Sequence, residues 1–309
     1  MARVVICEFM DAVGVARLAA AHDVLYDPTL VDDALRLREH AARADAFIVR
    51  NRTQVRGELL AALKRCKVIG RLGVGLDNID VDACAARGIT VIPAVGANAS
   101  SVAEYVIAAA MLLLRGSYRS SDDVIAGRWP REALSGGREI GGKTLGVIGF
   151  GSIGKVTARL AQGMGMRVVA FDAMRDASDP AYGGAGVEAT GLDQLLAAAD
   201  VVSLHVPLLE STRNLIDAKR IAAMKPGAVL VNAARGGIVD EPALVAALKR
   251  GHLGGAALDV FAVEPLPVSN VFAGCPNLLL TPHVAGPSKE SSVRISTLIA
   301  DKVLEALRP

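Results

Sequence analysis

Aromatic residues are scarce in this chain: one tryptophan, Trp129, with six phenylalanines and four tyrosines make up 4% of 309 residues. Charge of one sign is also missing. The 34 Lys and Arg nearly balance the 32 Asp and Glu, for a formal +2, which gives no electrostatic case for nucleic acid or an anionic membrane as partner. Cysteine is sparse, and Cys7, Cys66, Cys84 and Cys275 lie at no metal-ligand spacing. They read as reduced, mostly buried thiols of a cytosolic protein, and no metal is expected. No apolar run is long and charge-free enough to span a bilayer. The opening MARVVICEF enters a strand directly, without the charged, apolar and cleavage regions of a signal peptide. The expectation is a soluble cytoplasmic protein.

What is present is aliphatic. The chain is 52% hydrophobic, rich in Ala, Val, Leu, Ile and Gly, as helix-covered parallel sheets tend to be. Its length allows two domains, each with a core. In the first third, short apolar runs at Val4–Ile6, Ala46–Val49, Lys67–Gly70 and Thr90–Ile92 alternate with helical stretches at Val13–Ala21, Gly57–Lys64 and Val81–Arg87. A long apolar helix is predicted over Ser100–Arg115, with Ser100 or Ser101 as N-cap and Glu104 in its first turn. A looser stretch holding Trp129 leads to a second β-α series. Its strands are predicted at Thr144–Ile148, Arg167–Phe171, Asp200–Leu204, Val229–Val231, Gly255–Leu258 and Asn277–Leu280, and a helix over Ser288–Leu307 closes the chain. The fold class is therefore α/β, with two doubly wound parallel sheets.

LGVIGFGSIG places Gly149, Gly151 and Gly154 in G-x-G-x-x-G spacing between a strand and a helix. The first glycine permits the tight turn, the second the approach of a pyrophosphate, and the third close helix-strand packing. The helix N-terminus then offers free N–H groups to the phosphates. The next strand ends at Asp172, eighteen residues after Gly154, where an acid accepts from ribose hydroxyls and repels a 2′-phosphate. NAD is the expected cofactor, preferred over NADP, although Arg175 could accommodate a phosphate.

Three polar residues each follow an apolar run of the same series: Arg235 in VLVNAARGGIVDE, Glu264 in VFAVEPLP and His283 in LLLTPHVAG. Reduction of a 2-keto acid needs a cation for the carboxylate and ketone, which a guanidinium supplies in fork geometry. It also needs a proton donor that titrates near neutrality, as histidine does. An acid beside that histidine holds its ring and favours the imidazolium. Taken singly, Arg235 reads as a loop cation, Glu264 as a turn residue and His283 as a half-buried histidine. His205, in SLHVPL, reads as lining the cofactor site with Val206 and Pro207. His22, His40 and His252 read as surface or helix-end residues.

Long motifs carry a resemblance over nearly the whole chain. IVRNRTQV, VIGRLGVGLDNIDVDACAARGITV, NASSVAEYVI, GGKTLGVIGFGSIGKVTARLAQGMGMRVVAFD, MKPGAVLVNAARGGIVDEPALVAALKRGHLGGAALDVFAVEPLP and NLLLTPHVAG are similar to the D-isomer-specific 2-hydroxyacid dehydrogenases. Within that family the chain resembles the 3-phosphoglycerate dehydrogenase branch, and EFMD and NRTQV resemble the sulfolactate dehydrogenases. The resemblance implies Arg235, Glu264 and His283 as the catalytic trio, with Ser152, Ile153, Thr212, Ala233 and Asp259 as further cofactor contacts. It implies a Rossmann cofactor domain over residues 99–286, inserted in a flavodoxin-like substrate domain of residues 1–98 and 287–309, with the active site in the cleft between them. Val74 and Gly75, in GVGLDN, match the loop whose amides receive the substrate carboxylate, and Arg50, Asn51 and Arg71 fall near them. A homodimer is the family expectation. The branch often carries C-terminal regulatory domains, and none follows Pro309, so serine feedback by that route is not expected. The expected reaction is NAD-dependent hydride transfer on a small 2-hydroxy acid. An acid with a second anionic group, 3-phosphoglycerate or 3-sulfolactate, is placed ahead of glycerate. A dinucleotide-sensing binding protein of the same fold is the rival, disfavoured by the near-neutral charge.

Overall fold

The structure is a computed structural model that describes residues 1–116 and 120–308. Residues 117–119, in the stretch expected to be loose, lie outside the described residues. The chain divides into two compact units, Met1–Asn98 with Pro287–Pro309, and Ala99–Gly286.

The first unit alternates β1 (Arg3–Ile6), α1 (Ala12–Ala19), β2 (Asp23–Tyr26), α2 (Ala34–Ala41), β3 (Ala46–Val49), α3 (Gly57–Ala62), β4 (Val68–Arg71), α4 (Val81–Ala86) and β5 (Thr90–Pro93). All strands are parallel, in the order β2-β1-β3-β4-β5. The central strand β3 is buried at all four residues because helices cover both faces, which is why it reads as an unbroken apolar run. β2 and α2 were not expected. β2 is a four-residue edge strand with exposed ends, and α2 buries only Leu37 and Ala41 among charged neighbours. The C-terminal helix Lys289–Ala306 returns to this unit. Ile299 and Val303 are buried over Gly70, where an added Cβ would lie 2.7 Å from Ile299. Each such side chain contributes roughly 1.5–3 kcal/mol by leaving water.

The second unit begins with α5 (Ala99–Arg115), α6 (Ser121–Ile125) and α7 (Arg131–Leu134). It continues through β6 (Thr144–Ile148), α8 (Ser152–Gly163), β7 (Arg167–Phe171), α9 (Pro180–Gly183), β8 (Glu188–Ala189), α10 (Leu192–Ala198), β9 (Val201–Leu204), α11 (Ala218–Ala223), β10 (Val229–Asn232), α12 (Glu241–Lys249), β11 (Gly255–Leu258) and β12 (Leu278–Leu280). The C-terminal helix of the chain is thus α13. The seven-stranded parallel sheet runs β12-β11-β10-β9-β6-β7-β8, a Rossmann order. One apolar core lies on each face of this sheet. The expected start of α5 needs correction. The helix begins at buried Ala99, so Ser100 and Ser101 lie inside its first turn rather than capping it, and exposed Glu104 falls in the second turn. Serines before an apolar run resemble a cap in sequence, but here the chain enters the helix straight from a turn.

Candidate active site

In an open parallel sheet, ligands bind beyond the carboxyl ends of the strands where the strand order reverses. In the second unit that reversal lies between β6 and β9, whose following loops carry Gly149 and His205. Gly149 sits at φ +95°, and a Cβ there would approach the His205 carbonyl oxygen to 2.5 Å. Gly154 packs against the Gly149 carbonyl with no room for a side chain, so α8 lies tight against β6. Gly151 differs: a Cβ would meet nothing within 4 Å, which leaves open space in front of the loop. Gly151 caps α8 without a side-chain bond, so the amides of Ser152 and Ile153 open the helix toward that space.

Asp172 follows β7, and its carboxylate accepts from the backbone N–H of Phe150 at 2.8 Å and of Met174 at 2.9 Å. The acid is thereby tied to the glycine loop itself. Arg175 turns its guanidinium to Asp179 at 2.5 Å and lies 3.9 Å from Asp172, so two acids engage the charge that could have met a 2′-phosphate. A phosphate cradle with its glycines in place and an acid at the second strand end fit NAD. His205 hydrogen-bonds Ser203 Oγ through Nε2 at 2.9 Å, and burial pushes its imidazole down to about 4. It is neutral at pH 7 and poorly suited to exchange protons there. Val206 and Pro207 are beside it. Thr212 donates to the Pro207 carbonyl at 2.7 Å and accepts from Leu209 N–H at 2.7 Å, closing that loop. Ala233 is half-buried just beyond β10.

The structure brings Glu264 and His283 together. His283 Nδ1 donates to Glu264 Oε2 at 2.8 Å, and Glu264 Oε1 accepts from Phe261 N–H at 3.0 Å. This bond holds the ring and directs Nε2 outward, on a side chain 44% exposed. His283 sits at φ +57°, a left-handed conformation uncommon for a side-chain-bearing residue. The cause is visible in Asp259, which is buried. Its carboxylate accepts from Thr281 Oγ1, Val284 N–H and Ala285 N–H at 2.7, 2.8 and 2.8 Å. Its carbonyl accepts from His283 N–H at 2.8 Å. Tyr105 of α5 also meets Thr281 Oγ1 at 2.7 Å, so helix and loop are joined.

Arg235 follows β10 and is half-buried. Buried Asn232 clamps its loop, donating to the Arg235 carbonyl at 2.9 Å and accepting from Ala234 N–H at 3.1 Å. Gly237 takes the turn at φ +75°. At Gly236 any Cβ would collide with the Phe261 carbonyl, so this glycine permits close approach of the Glu264 loop.

In the first unit the strand order reverses between β1 and β3. Arg50 and Asn51 follow β3 there, and Arg71 ends β4 with its guanidinium folded over Gly73. Val74 and Gly75 are half-buried in the next loop. Asn78 of the same GVGLDN stretch is buried and donates to the carbonyls of Arg50 at 3.2 Å and Thr53 at 2.7 Å. Asn78, Asn232 and Tyr105 were not singled out in the sequence, nor was Glu8.

Residues 107–285 match the family described as D-isomer specific 2-hydroxyacid dehydrogenase, NAD binding domain. The chain belongs to the D-isomer specific 2-hydroxyacid dehydrogenases. It is 53% identical over 308 residues to the (S)-sulfolactate dehydrogenase of Chromohalobacter salexigens, covering 99% of both chains. To the D-3-phosphoglycerate dehydrogenase of Mycobacterium leprae it is 41% identical over 275 residues, 89% of this chain but 51% of that one, so it spans about half the length of that relative. The NAD-dependent formate dehydrogenase of Staphylococcus aureus, solved with NAD, superposes with a TM-score of 0.78 at 26% identity, covering 99% and 95% of the two chains. The resemblance read from the motifs, the fold class and NAD as cofactor are therefore borne out, and the chain is an NAD-dependent 2-hydroxyacid dehydrogenase.

Proposed function

We propose that the physiological substrate is a 2-hydroxy acid with a second anion at C3, 3-sulfolactate before 3-phosphoglycerate. The observation that carries this reading is two arginines at the carboxyl edge of the first sheet, Arg50 after β3, beside the reversal of strand order, and Arg71 at the end of the neighbouring β4. Fork-shaped donors suit tetrahedral oxyanions. The full-length likeness to a sulfolactate dehydrogenase supports the same choice.

Bound NAD supplies the hydride acceptor, held by Gly149, Gly151, Gly154, the amides of Ser152 and Ile153, and Asp172. Val206, Pro207, Thr212, Ala233 and Asp259 complete that role. In the oxidation direction His283 Nε2 takes the hydroxyl proton, while Glu264 holds the ring in the tautomer that leaves Nε2 able to accept. Arg235 binds the carboxylate and stabilises charge on the C2 oxygen as the carbonyl forms. The amides of Val74 and Gly75 receive the carboxylate, and Asn51 lies beside Arg50 to orient the acid. Residues 99–286 then serve as the cofactor domain, and the remainder as the substrate domain. We read the enzyme as a cytoplasmic homodimer. All four thiols are free, as suits a reducing compartment, and exposed Ile125 and Trp129 on and after α6 offer apolar surface to a second copy.

Initial rates with NAD and a panel of 3-sulfolactate, 3-phosphoglycerate and glycerate test this. The dianionic acids should exceed glycerate in kcat/KM by about tenfold or more, the gain from one good charge-assisted contact. Equal efficiencies across the panel would remove the second anion from the reading.

A further inference from the structure

Glu8 follows β1 and is buried, yet it meets no cation in a salt bridge among the described residues. Its partners are four consecutive backbone N–H groups after β3. Oε1 accepts from Arg50 at 2.8 Å and Thr53 at 3.0 Å, and Oε2 from Asn51 at 3.2 Å and Arg52 at 3.1 Å. Convergent backbone N–H groups make an anion-binding nest, and here the chain's own carboxylate fills it. Asn78 holds the carbonyl side of the same loop. The next residue, Phe9, is half-exposed, and its ring lies under the Arg50 guanidinium, 5.6 Å from centroid to Cζ. The recess bounded by Phe9, Arg50, Leu72 and Ser296 has about 10 Å³ of room. That is space for about one water, so the guanidinium cannot retract into it.

We propose that Glu8 and Phe9 are positioning residues for substrate selection: Glu8 fixes the Arg50 backbone, Phe9 orients its guanidinium, and together they aim one cation at the second anion of the substrate. This rests on the reading that Arg50 receives that anion. A consequence follows for recognition. The loop's N–H groups are consumed inside the chain, so a sulfonate or phosphate is met by the side chain of Arg50 and not by the loop backbone.

Glu8→Gln keeps size but turns an NH2 toward two of the four N–H groups, which breaks one pair of bonds. Phe9→Leu keeps an apolar side chain but removes the ring. Each variant, with Arg50→Ala, is assayed for kcat and KM with 3-sulfolactate and with glycerate, alongside its Tm. Calorimetric titration of 3-sulfolactate into the NADH-bound enzyme gives a second readout. Both positioning variants should raise KM and Kd for 3-sulfolactate by about tenfold, with a several-fold smaller change in glycerate KM and little change in kcat. Equal rises for both acids, or losses confined to kcat and Tm, would make Glu8 and Phe9 structural only. If Arg50→Ala discriminates between the acids and the other two do not, this proposal falls alone. If Arg50→Ala fails to discriminate, the second-anion reading falls and takes the proposal with it. Should Glu8→Gln not fold, Phe9→Leu decides by the same criterion.

Discussion

His283 and His205 both follow strands of the same sheet, and their surroundings separate them. The first is on a side chain 44% exposed with a carboxylate partner, whereas the second is half-buried, with Ser203 beside its Nε2. Burial holds His205 at about 4, below the ordinary 6.5. The unfolded chain therefore binds a proton between pH 6.5 and 4 that the native chain refuses. Stability from this group is complete above pH 6.5, is lost as pH falls toward 4, and levels off below. The full loss is on the order of 3 kcal/mol. Asp176 and Asp179 are held low by the backbone N–H groups of Ser178 and Ala181, so they act in a more acidic window, below their ordinary 3.8. Denaturant unfolding of the wild type at pH 7 and pH 5, beside His205→Asn, should show a smaller pH difference in the variant. Equal differences would mean that His205 is protonated freely in the native state.

At the scale of elements, legibility followed burial. Strands covered on both faces, such as β3 and β11, read as continuous apolar runs, and the glycine loop is local in sequence. The edge strands β2 and β8 did not, because half of each faces water or the strand is only two residues long. Glu8 and Asn78 escaped for another reason. Their partners are backbone groups some 25 to 45 residues away, and a backbone N–H or carbonyl carries no sequence signature. The Asp172 position was legible, but its bond to Phe150 N–H was not. That bond sharpens an expected outcome. Asp172→Ala removes both the proposed ribose acceptor and a tie to the glycine loop. NAD affinity should fall by about tenfold, and NADP binding should change less, narrowing the preference. Fluorescence titration with both reduced cofactors measures this. An unchanged ratio would place the ribose away from Asp172.

The whole molecule holds two units of unequal continuity. Residues 1–98 need α13 from the far end of the chain: Asp11 N–H donates to Ser296 Oγ at 2.9 Å, Arg17 pairs with Asp301, and Ile299 lies in that core. Residues 99–286 form one uninterrupted segment with a seven-stranded sheet and a core on each face, the anatomy of a segment that folds alone. All the residues proposed to hold NAD fall inside it, whereas Arg50, Arg71, Val74 and Gly75 do not. Expressed separately, residues 99–286 should unfold cooperatively and bind NADH. At a cofactor concentration of 100 times Kd, binding should add about 2.7 kcal/mol to their stability. The segment should not turn over 3-sulfolactate, because Arg235 remains but the proposed partners of the second anion, Arg50 and Arg71, and the amides of Val74 and Gly75 are absent. Calorimetry with and without NADH, followed by an activity assay, reads both halves of the expectation. A segment that folds without cofactor-dependent stabilisation would overturn the assignment of NAD to this unit, and turnover by the segment alone would overturn the role given to Arg50 and Arg71.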